Sequence, residues 1–256
     1  MNELTLDPAL RQPLADRLLA LADDEMLLGH RNSEWTGHAP ILEEDIAIAN
    51  LAQDEMGHAS LWYGAHGALT GSDADQLVFF RDASEYRNCQ LTALPKGDWA
   101  FTLMRQYLFD AAELCWLERL KRSEYQPIAD IATKVEREEA YHYRHSSAWI
   151  RRLGLGTEES KQRCQTALDE LWAYALQLFV PLPGDSALVE AGITPDLRRL
   201  QSVWEGRVRP YLITSGLEVP LETTAAATSR QDHLPHLAEL LAEMQEVARK
   251  DPEAQW

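Results

Sequence analysis

The chain has 256 residues, a formal net charge of −17 and a 45% share of hydrophobic residues. Such a length and hydrophobic share predict one globular unit with a large buried core. The acidic balance argues against nucleic acid and against an anionic membrane surface as partners, because binding to phosphate groups needs a basic face.

The sequence also lacks the signals of export. It has neither a basic and apolar leader nor a run of about 18 apolar residues, so we expect a cytoplasmic protein without a membrane span. The cysteines Cys89, Cys115 and Cys164 do not have the spacing of metal ligands. They are predicted to be reduced and structural.

Helix-forming residues dominate the chain, and apolar residues recur at steps of three and four. Capping and breaking residues place four long helices, over Pro8 to His30, Pro40 to Gly67, Trp99 to Arg122 and Pro127 to about Gly154. The sequence therefore predicts an all-α fold, with a four-helix bundle in residues 1–156.

Further helices are predicted in residues 157–256. The first begins at Thr157 and extends to about Phe179. For the second, Thr194 before Pro195 is the predicted N-cap, and the helix extends towards Tyr211. The last helix covers His236 to Lys250. We expect these helices to pack on the bundle, so that residues 1–256 form one domain.

Two Glu-x-x-His pairs occur in the predicted bundle. Residues three apart on a helix lie on one face, so the carboxylate and the imidazole of each pair can reach the same metal. Four-helix carboxylate proteins hold two metals with one Glu from each of two helices and a Glu-x-x-His from each of the other two. This chain supplies that set in order: Glu25, Glu55, His58, Glu113, Glu139 and His142.

All six candidate ligands fall on apolar stripes and should point inwards; Glu25, for example, follows Leu14, Leu18 and Leu21 at helical steps. Four buried carboxylates would repel one another strongly without a counter-charge. Two divalent cations would cancel their formal charge, and oxygen and imidazole ligands suit iron or manganese.

Two alternatives to this ligand set stay open. Arg105, Arg137 and Arg144 lie close enough in sequence to form surface ion pairs with Glu113 or Glu139. The register is also open, because other acids lie beside or one turn from the chosen ones: Asp24, Asp54, Asp110 and Glu138. We interpret Asp110 as an acceptor that lies behind the ligands and orients a ligating histidine through a hydrogen bond.

Several motifs resemble the phenylacetic acid catabolic protein family, the ferritin-like subunits of bacterial phenylacetyl-CoA epoxidase. They are Gly29-His-Arg-Asn-Ser-Glu-Trp-Thr-Gly-His-Ala-Pro40, Glu43-Glu-Asp-Ile-Ala-Ile-Ala-Asn50, Arg105-Gln-Tyr-Leu-Phe-Asp110, Ala140-Tyr-His-Tyr-Arg-His145, Arg152-Leu-Gly-Leu-Gly-Thr157, Leu241-Ala-Glu-Met-Gln245 and the final Gln255-Trp256. The resemblance covers nearly the whole chain. It is strongest to the smaller, PaaC-type subunit.

The resemblance implies a ferritin-like fold and a role in a multicomponent oxygenase. In that family, electrons from NADPH pass through a separate reductase to a di-iron centre, where activated oxygen epoxidises the ring of phenylacetyl-CoA. The PaaC-type subunit is regarded there as the structural partner of the catalytic, PaaA-type subunit, with a ligand set that is often incomplete. This sequence departs from that pattern because it has all six residues. The sequence therefore leaves open whether the metal centre is occupied or vestigial.

Three hypotheses follow from these observations. In the first, the chain is a PaaC-type partner of a catalytic subunit. In the second, it performs di-iron oxygen chemistry itself, with electrons from a partner reductase, because the sequence shows no nucleotide, flavin or iron–sulfur motif. In the third, it handles iron or peroxide as ferritins and manganese catalases do.

Overall fold

The computed structural model describes residues 6–252. These residues form helices and connecting segments without any strand, which confirms the prediction of an all-α fold. The α-helices are α1 (Pro8–Ser33), α2 (Leu42–Thr70), α3 (Ala74–Phe79), α4 (Gln90–Ala93), α5 (Trp99–Leu120), α6 (Gln126–Gly154), α7 (Glu158–Leu176), α8 (Asp185–Glu190), α9 (Leu197–Thr214), α10 (Pro235–Met244) and α11 (Glu246–Lys250).

The first helical hairpin consists of α1 and α2. The Asp7 side chain accepts a hydrogen bond from the Ala9 N–H and caps α1, and Gly71, at φ 81°, ends α2 in a left-handed conformation. The helices are antiparallel, since the His66 ring contacts the Ala15 carbonyl near one end of the pair. Near the other end, a Cβ on Gly29 would lie 3.0 Å from the Ala52 carbonyl oxygen. The backbones of α1 and α2 therefore approach each other closely beside Glu55.

The second hairpin consists of α5 and α6. Asp98 caps α5 by accepting from the Phe101 N–H, and the rings of Tyr107 and Tyr143 stack at a centroid distance of 5.8 Å across the pair. In addition, α2 packs against α6. The four long helices thus form a bundle of two hairpins, as the sequence predicts.

The helices after the bundle cover α5. Both α7 and α9 pack on it. The Trp204 ring on α9 stacks on Trp172 of α7 at 5.1 Å, and its indole N–H donates to the Leu108 carbonyl of α5. Further along the chain, α10 buries Leu237 and Leu240 against Leu27 of α1. The helices that follow α6 therefore cover the bundle along α5 and part of α1.

Several predicted boundaries differ from the structure. Helix α1 ends at Ser33 rather than near His30, and α2 ends at Thr70 rather than near Gly67. Helix α9 is capped by Asp196, which accepts from the Arg199 N–H, and not by Thr194, because a side chain just before the first helical residue reaches the free N–H groups. The last predicted helix is interrupted at Gln245, whose side-chain amide donates to the Val78 and Arg81 carbonyls. Finally, α2 starts at Leu42, beyond Pro40.

Within residues 6–252, the structure contains no helix that combines the length and the apolar composition of a membrane span. The three cysteines are free and buried, as predicted. The motif Gln255-Trp256 lies outside the described residues.

Candidate metal centre

Four of the six predicted ligands converge between α1, α2 and α5. Each of them offers one ligand atom, and these atoms lie within 4.8 Å of one another. The residues are Glu25, Glu55, His58 and Glu113. All four are buried, with Glu55 completely inaccessible to solvent. The structure thus forms a closed group of three carboxylates and one imidazole, which could hold a metal.

The other two predicted ligands, Glu139 and His142 on α6, adjoin this group. Nδ1 of His142 lies 3.1 Å from Oε2 of Glu139 and 3.7 Å from Oε1 of Glu55. The imidazole rings of His58 and His142 are 5.7 Å apart. Glu55 therefore lies next to both halves of the predicted set.

Several side-chain atoms at this centre are buried without any hydrogen-bond partner. They are both carboxylate oxygens of Glu25, Oε2 of Glu55, Nδ1 of His58, Oε2 of Glu113 and Oε1 of Glu139. A buried polar atom without a partner costs free energy, so such a concentration needs an explanation. Oxygen and imidazole donors without thiolate fit iron or manganese. The residues present therefore fit a metal site.

The pKa shifts of the buried carboxyl groups also favour a metal site. Burial raises the pKa of Glu25 well above its ordinary value, and the neighbouring charges of Glu113 and Glu55 raise it further. Burial likewise raises the pKa of Glu139, together with repulsion from Glu113 and Asp110. For His142, burial lowers the pKa, but its bonds with Asp54 and Glu139 outweigh this and raise it to about 12. These carboxylates thus favour a positive charge beside them, which the protonated His142 imidazole supplies in part and a bound metal cation would supply more fully.

The acids that left the register open have other partners. On α1, Asp24 accepts from the Cys89 N–H at 2.6 Å and forms a buried salt bridge with Arg230. Asp54 Oδ2 lies 3.2 Å from Nε2 of His142, and Glu138 Oε2 lies 2.9 Å from Nε2 of His58. Asp54 and Glu138 each lie one residue before a predicted ligand, and each contacts the histidine of the other helix.

Asp110 does not orient a histidine in this structure. Its carboxylate accepts from the Gln106 amide at 2.6 Å and from the Ser146 hydroxyl at 2.7 Å. The same Gln106 amide also donates to Glu55 Oε1 at 2.7 Å, and Asn32 donates to the Gln106 oxygen. A supporting role of Asp110 behind the ligands stays a prediction, but the side chains that it contacts are Gln106 and Ser146. In the sequence, this hydrogen-bond network was indicated by the amide side chain of Gln106 at a position on an apolar stripe.

The arginine alternative finds no support in the part of the chain that the structure describes. Arg105 donates to the Leu94 carbonyl at 2.7 Å, and no arginine forms a salt bridge with Glu113 or Glu139. Inside the protein, the arginine pairs go to Asp23, Asp24 and Asp185. The buried arginine salt bridges of the described residues thus involve other acids and not the candidate ligands.

A narrow apolar cavity of about 20 Å³ borders Glu25 and Glu113. Its walls include Trp62, Phe109 and Trp116. That volume holds about one water-sized molecule. Binding sites for ligands of the size of a drug occupy roughly 300 to 1,000 Å³. The cavity is therefore too small for an aromatic thioester.

Comparisons with known proteins agree with the motifs in the sequence. The family model described as phenylacetic acid catabolic protein matches residues 2–256. The chain is 38% identical over 240 residues to the C subunit of 1,2-phenylacetyl-CoA epoxidase of Escherichia coli (strain K12), covering 93% of this chain and 97% of that protein. It is 26% identical over 217 residues to the A subunit of the same enzyme, covering 83% of this chain and 70% of that protein.

Proposed function

Because the chain belongs to the phenylacetic acid catabolic protein family, we propose that it is the C-type subunit of a phenylacetyl-CoA epoxidase, in which it works beside a PaaA-type catalytic subunit. The observation that carries this proposal is the match to the C subunit of the bacterial enzyme, which has the higher identity and spans 97% of that relative. The match to the A subunit is weaker and covers 70% of it.

The size of the internal cavity supports a partner role over turnover by this chain alone. The space beside Glu25 and Glu113 is about 20 Å³, much smaller than a site for a phenyl ring attached to coenzyme A needs. Larger pockets of about 410 Å³ and 590 Å³ lie elsewhere, one beside Phe79 and Met244 and one beside Phe179 and Leu197. None of the six predicted ligands lines them.

Co-expression with a PaaA-type subunit tests this proposal. We expect the two chains to elute together as a stable complex, and we expect the isolated catalytic subunit to be less soluble or less active. Separate elution of two folded chains would rule out the partner role. Turnover of phenylacetyl-CoA by this chain with a reductase, in the absence of the PaaA-type subunit, would establish the catalytic alternative.

We further propose that the chain holds two iron ions, with manganese as the alternative, through Glu25, Glu55, His58, Glu113, Glu139 and His142. The observation in favour is the set of buried carboxylate and imidazole atoms without partners. Bound iron would supply redox and dioxygen chemistry, which side chains alone lack. Within the chain, Asp54 and Glu138 would fix the histidines, and Gln106 would orient Glu55.

Anaerobic loading with ferrous iron, followed by elemental analysis, tests the metal proposal. We expect close to two metals per chain, which the pair of Glu-x-x-His motifs predicts. A ratio near zero in a protein with an unchanged helical circular dichroism spectrum would mean a vestigial site. An oxygenase role would also need an NADPH-dependent reductase, since the chain has no motif for an electron-carrying cofactor.

A further inference from the structure

The connection between α9 and α10 is long and has no regular secondary structure. Residues 218–234 form most of it, and we call them the strap. Connections inside a domain usually have about 4 to 6 residues, and those of more than about 12 to 15 residues without secondary structure usually have a function of their own or are disordered. The strap exceeds this length and contacts α7 through hydrogen bonds. Its length therefore indicates a function beyond connecting two helices.

The strap inserts a single side chain deeply into the fold. Arg230 is 2% exposed, and it is the only buried residue from 218 to 234. Val219, Ala225 and Leu234 are half-buried against the core. Segments that bury few apolar side chains open more readily than the helices of the core. Arg230 is therefore the main buried contact that keeps the strap closed.

Arg230 holds the strap through polar contacts. Its guanidinium forms a buried salt bridge with Asp24 of α1 and donates to the carbonyls of Arg87 and Leu178, each at 3.3 Å. Its Nε has no hydrogen-bond partner among the described residues. Water competes for these bonds once the strap moves, and burying both charges costs free energy that offsets much of their attraction. The contact therefore defines the closed position without fixing the strap permanently.

Arg230 also forms part of the wall of the apolar cavity beside the candidate metal centre. It lines this cavity together with Asp24, Glu25 and Glu113. Of the described residues in the wall, Arg230 alone belongs to a segment without helical structure. Displacement of the strap therefore removes one wall of the cavity and leaves the helices in place.

We propose that the strap is a lid on this cavity and that Arg230 is its latch. When the guanidinium leaves Asp24, the space beside Glu25 and Glu113 opens to solvent while the helices stay folded. The open lid admits small molecules to the side of the candidate centre that faces the strap. The inference goes beyond the proposed function, because it stands on the contacts of Arg230 whether or not the centre holds metal.

The chemistry of the cavity wall limits what the lid admits. Trp62, Phe109 and Trp116 make the wall largely apolar, which favours uncharged molecules over ions. The closed volume of about 20 Å³ restricts an enclosed guest to the size of about one water molecule. Cations have a different approach, since Asp54 and Glu138 contact the histidines from outside with side chains that are 38% and 50% exposed. The lid therefore controls the entry of small uncharged molecules.

Alkylation of an engineered cysteine measures how readily the cavity opens. Ala112 lines the cavity and is 1% exposed, so Ala112→Cys, the parent variant, places a thiol in its wall. Iodoacetamide is small and uncharged, and it reacts with this thiol only when the cavity is open to solvent. Peptide mass spectrometry gives the rate of labelling at each cysteine. Cys164 is the internal reference, because it is buried and does not line the cavity.

The latch variant adds Asp24→Asn and Arg230→Met to the parent variant. The two changes remove both charges of the buried salt bridge, so neither charge is left uncompensated in the interior. Asparagine also keeps an oxygen for the Cys89 N–H, from which Asp24 accepts at 2.6 Å. We expect labelling at position 112 to become about tenfold faster or more, because the strap loses its hydrogen bonds to charged groups. Labelling of Cys164 should stay unchanged.

Arg230→Lys in the parent variant is a milder change, for the case that the latch variant does not fold. Lysine keeps the charge beside Asp24, but it lacks the planar fork that reaches the carbonyls of Arg87 and Leu178 at the same time. Labelling at position 112 should become faster by a smaller factor than in the latch variant. An unchanged rate would overturn the role of Arg230 as the latch.

Asp23→Asn with Arg81→Met in the parent variant is the matched control. Asp23 is the neighbour of Asp24 on α1, and its salt bridge with Arg81 is also buried. However, Arg81 lies between α3 and α4 rather than in the strap, and neither residue lines the cavity. Labelling of this control at position 112 should therefore match that of the parent variant.

The possible results separate the lid from a general loss of stability. Faster labelling at position 112 in the latch variant alone supports the lid. Equal rates in the latch variant and the parent variant overturn it, because Arg230 then does not close the cavity. An equal acceleration at Cys164, or in the control, also overturns it, since the whole fold then opens rather than the strap. None of these rates depends on metal or on a PaaA-type subunit, so failure of the proposed function would leave the test of the lid intact.

Discussion

Oε2 of Glu138 on α6 lies 2.9 Å from Nε2 of His58 on α2, so a carboxylate of the second hairpin orients an imidazole of the first. Conversely, Oδ2 of Asp54 on α2 lies 3.2 Å from Nε2 of His142 on α6. Hydrogen bonds of this kind fix the tautomer and the ring orientation of a ligating histidine. The two hairpins are thus linked crosswise directly outside the candidate metal centre.

Glu138→Gln should weaken metal binding by about 10- to 100-fold, because the neutral amide oxygen is a weaker hydrogen-bond acceptor for the His58 imidazole than the charged carboxylate. The measurement is competition with a chelator for ferrous or cobaltous ion under anaerobic conditions. Glu136→Gln is the control, since Glu136 forms a salt bridge with Lys121 away from the histidines. Equal affinities for both variants would contradict the role of Glu138.

Glu25→Gln should have opposite effects on the metal-free and the metal-loaded protein. In the metal-free protein, it removes one of the crowded carboxylates and should raise the free energy of unfolding by about 2 kcal/mol. It also removes a ligand, so the increase in stability that metal gives should be lost. Urea unfolding with and without ferrous iron measures both effects. A variant that is less stable without metal would show that Glu25 is a structural acid.

The stability of the metal-free protein should fall as pH rises. The pKa values of Glu25 and Glu139 are raised above the ordinary value of 4.5 by burial and by neighbouring carboxylates. A raised acid pKa contributes stability that is complete below the unfolded-state value and is lost as pH rises through the folded-state value. With a chelator present, we therefore expect a lower free energy of unfolding at about pH 8 than at about pH 5.5.

Metal should remove this pH dependence, because a bound cation holds the carboxylates in their charged form. Glu25→Gln should flatten the curve of the metal-free protein in part. A metal-free wild-type curve that rises with pH over the same interval would contradict the assignment.

Asp24→Ala should destabilise the protein by about 3 to 5 kcal/mol, because it leaves the buried Arg230 guanidinium without its counter-charge. Asp98→Asn should cost much less through the loss of its pair with Arg163, since that pair is exposed to solvent. Asparagine is used at position 98 because it retains the helix cap. Similar losses in both variants, measured by urea unfolding, would contradict the ranking.

The three thiols should resist alkylation in the native protein. Burial raises the pKa of Cys115 to about 11 and that of Cys164 to about 12, and it raises the pKa of Cys89 as well. Thiolate is the reactive form, so iodoacetamide at about pH 8 should label none of them until urea is added. Mass spectrometry counts the labels, and rapid labelling of native protein would show local opening around the labelled cysteine.

The sequence alone predicted the all-α fold, the four long helices and the six inward-facing residues. These features depend on the periodicity of apolar residues along single helices, which is local information. For the same reason, the Glu-x-x-His spacing identifies two residues on one face before any tertiary contact is known. The motifs identified the family, which the comparisons confirmed.

The partners of the remaining polar residues could be decided only by the tertiary structure. Asp24 and Glu25 are neighbours on α1, yet Asp24 meets Arg230 from the far end of the chain while Glu25 meets Glu113 and Glu55. Asp110 meets Gln106 and Ser146 rather than a histidine. Periodicity fixes the face on which a side chain lies, whereas its partner depends on how helices distant in sequence pack together.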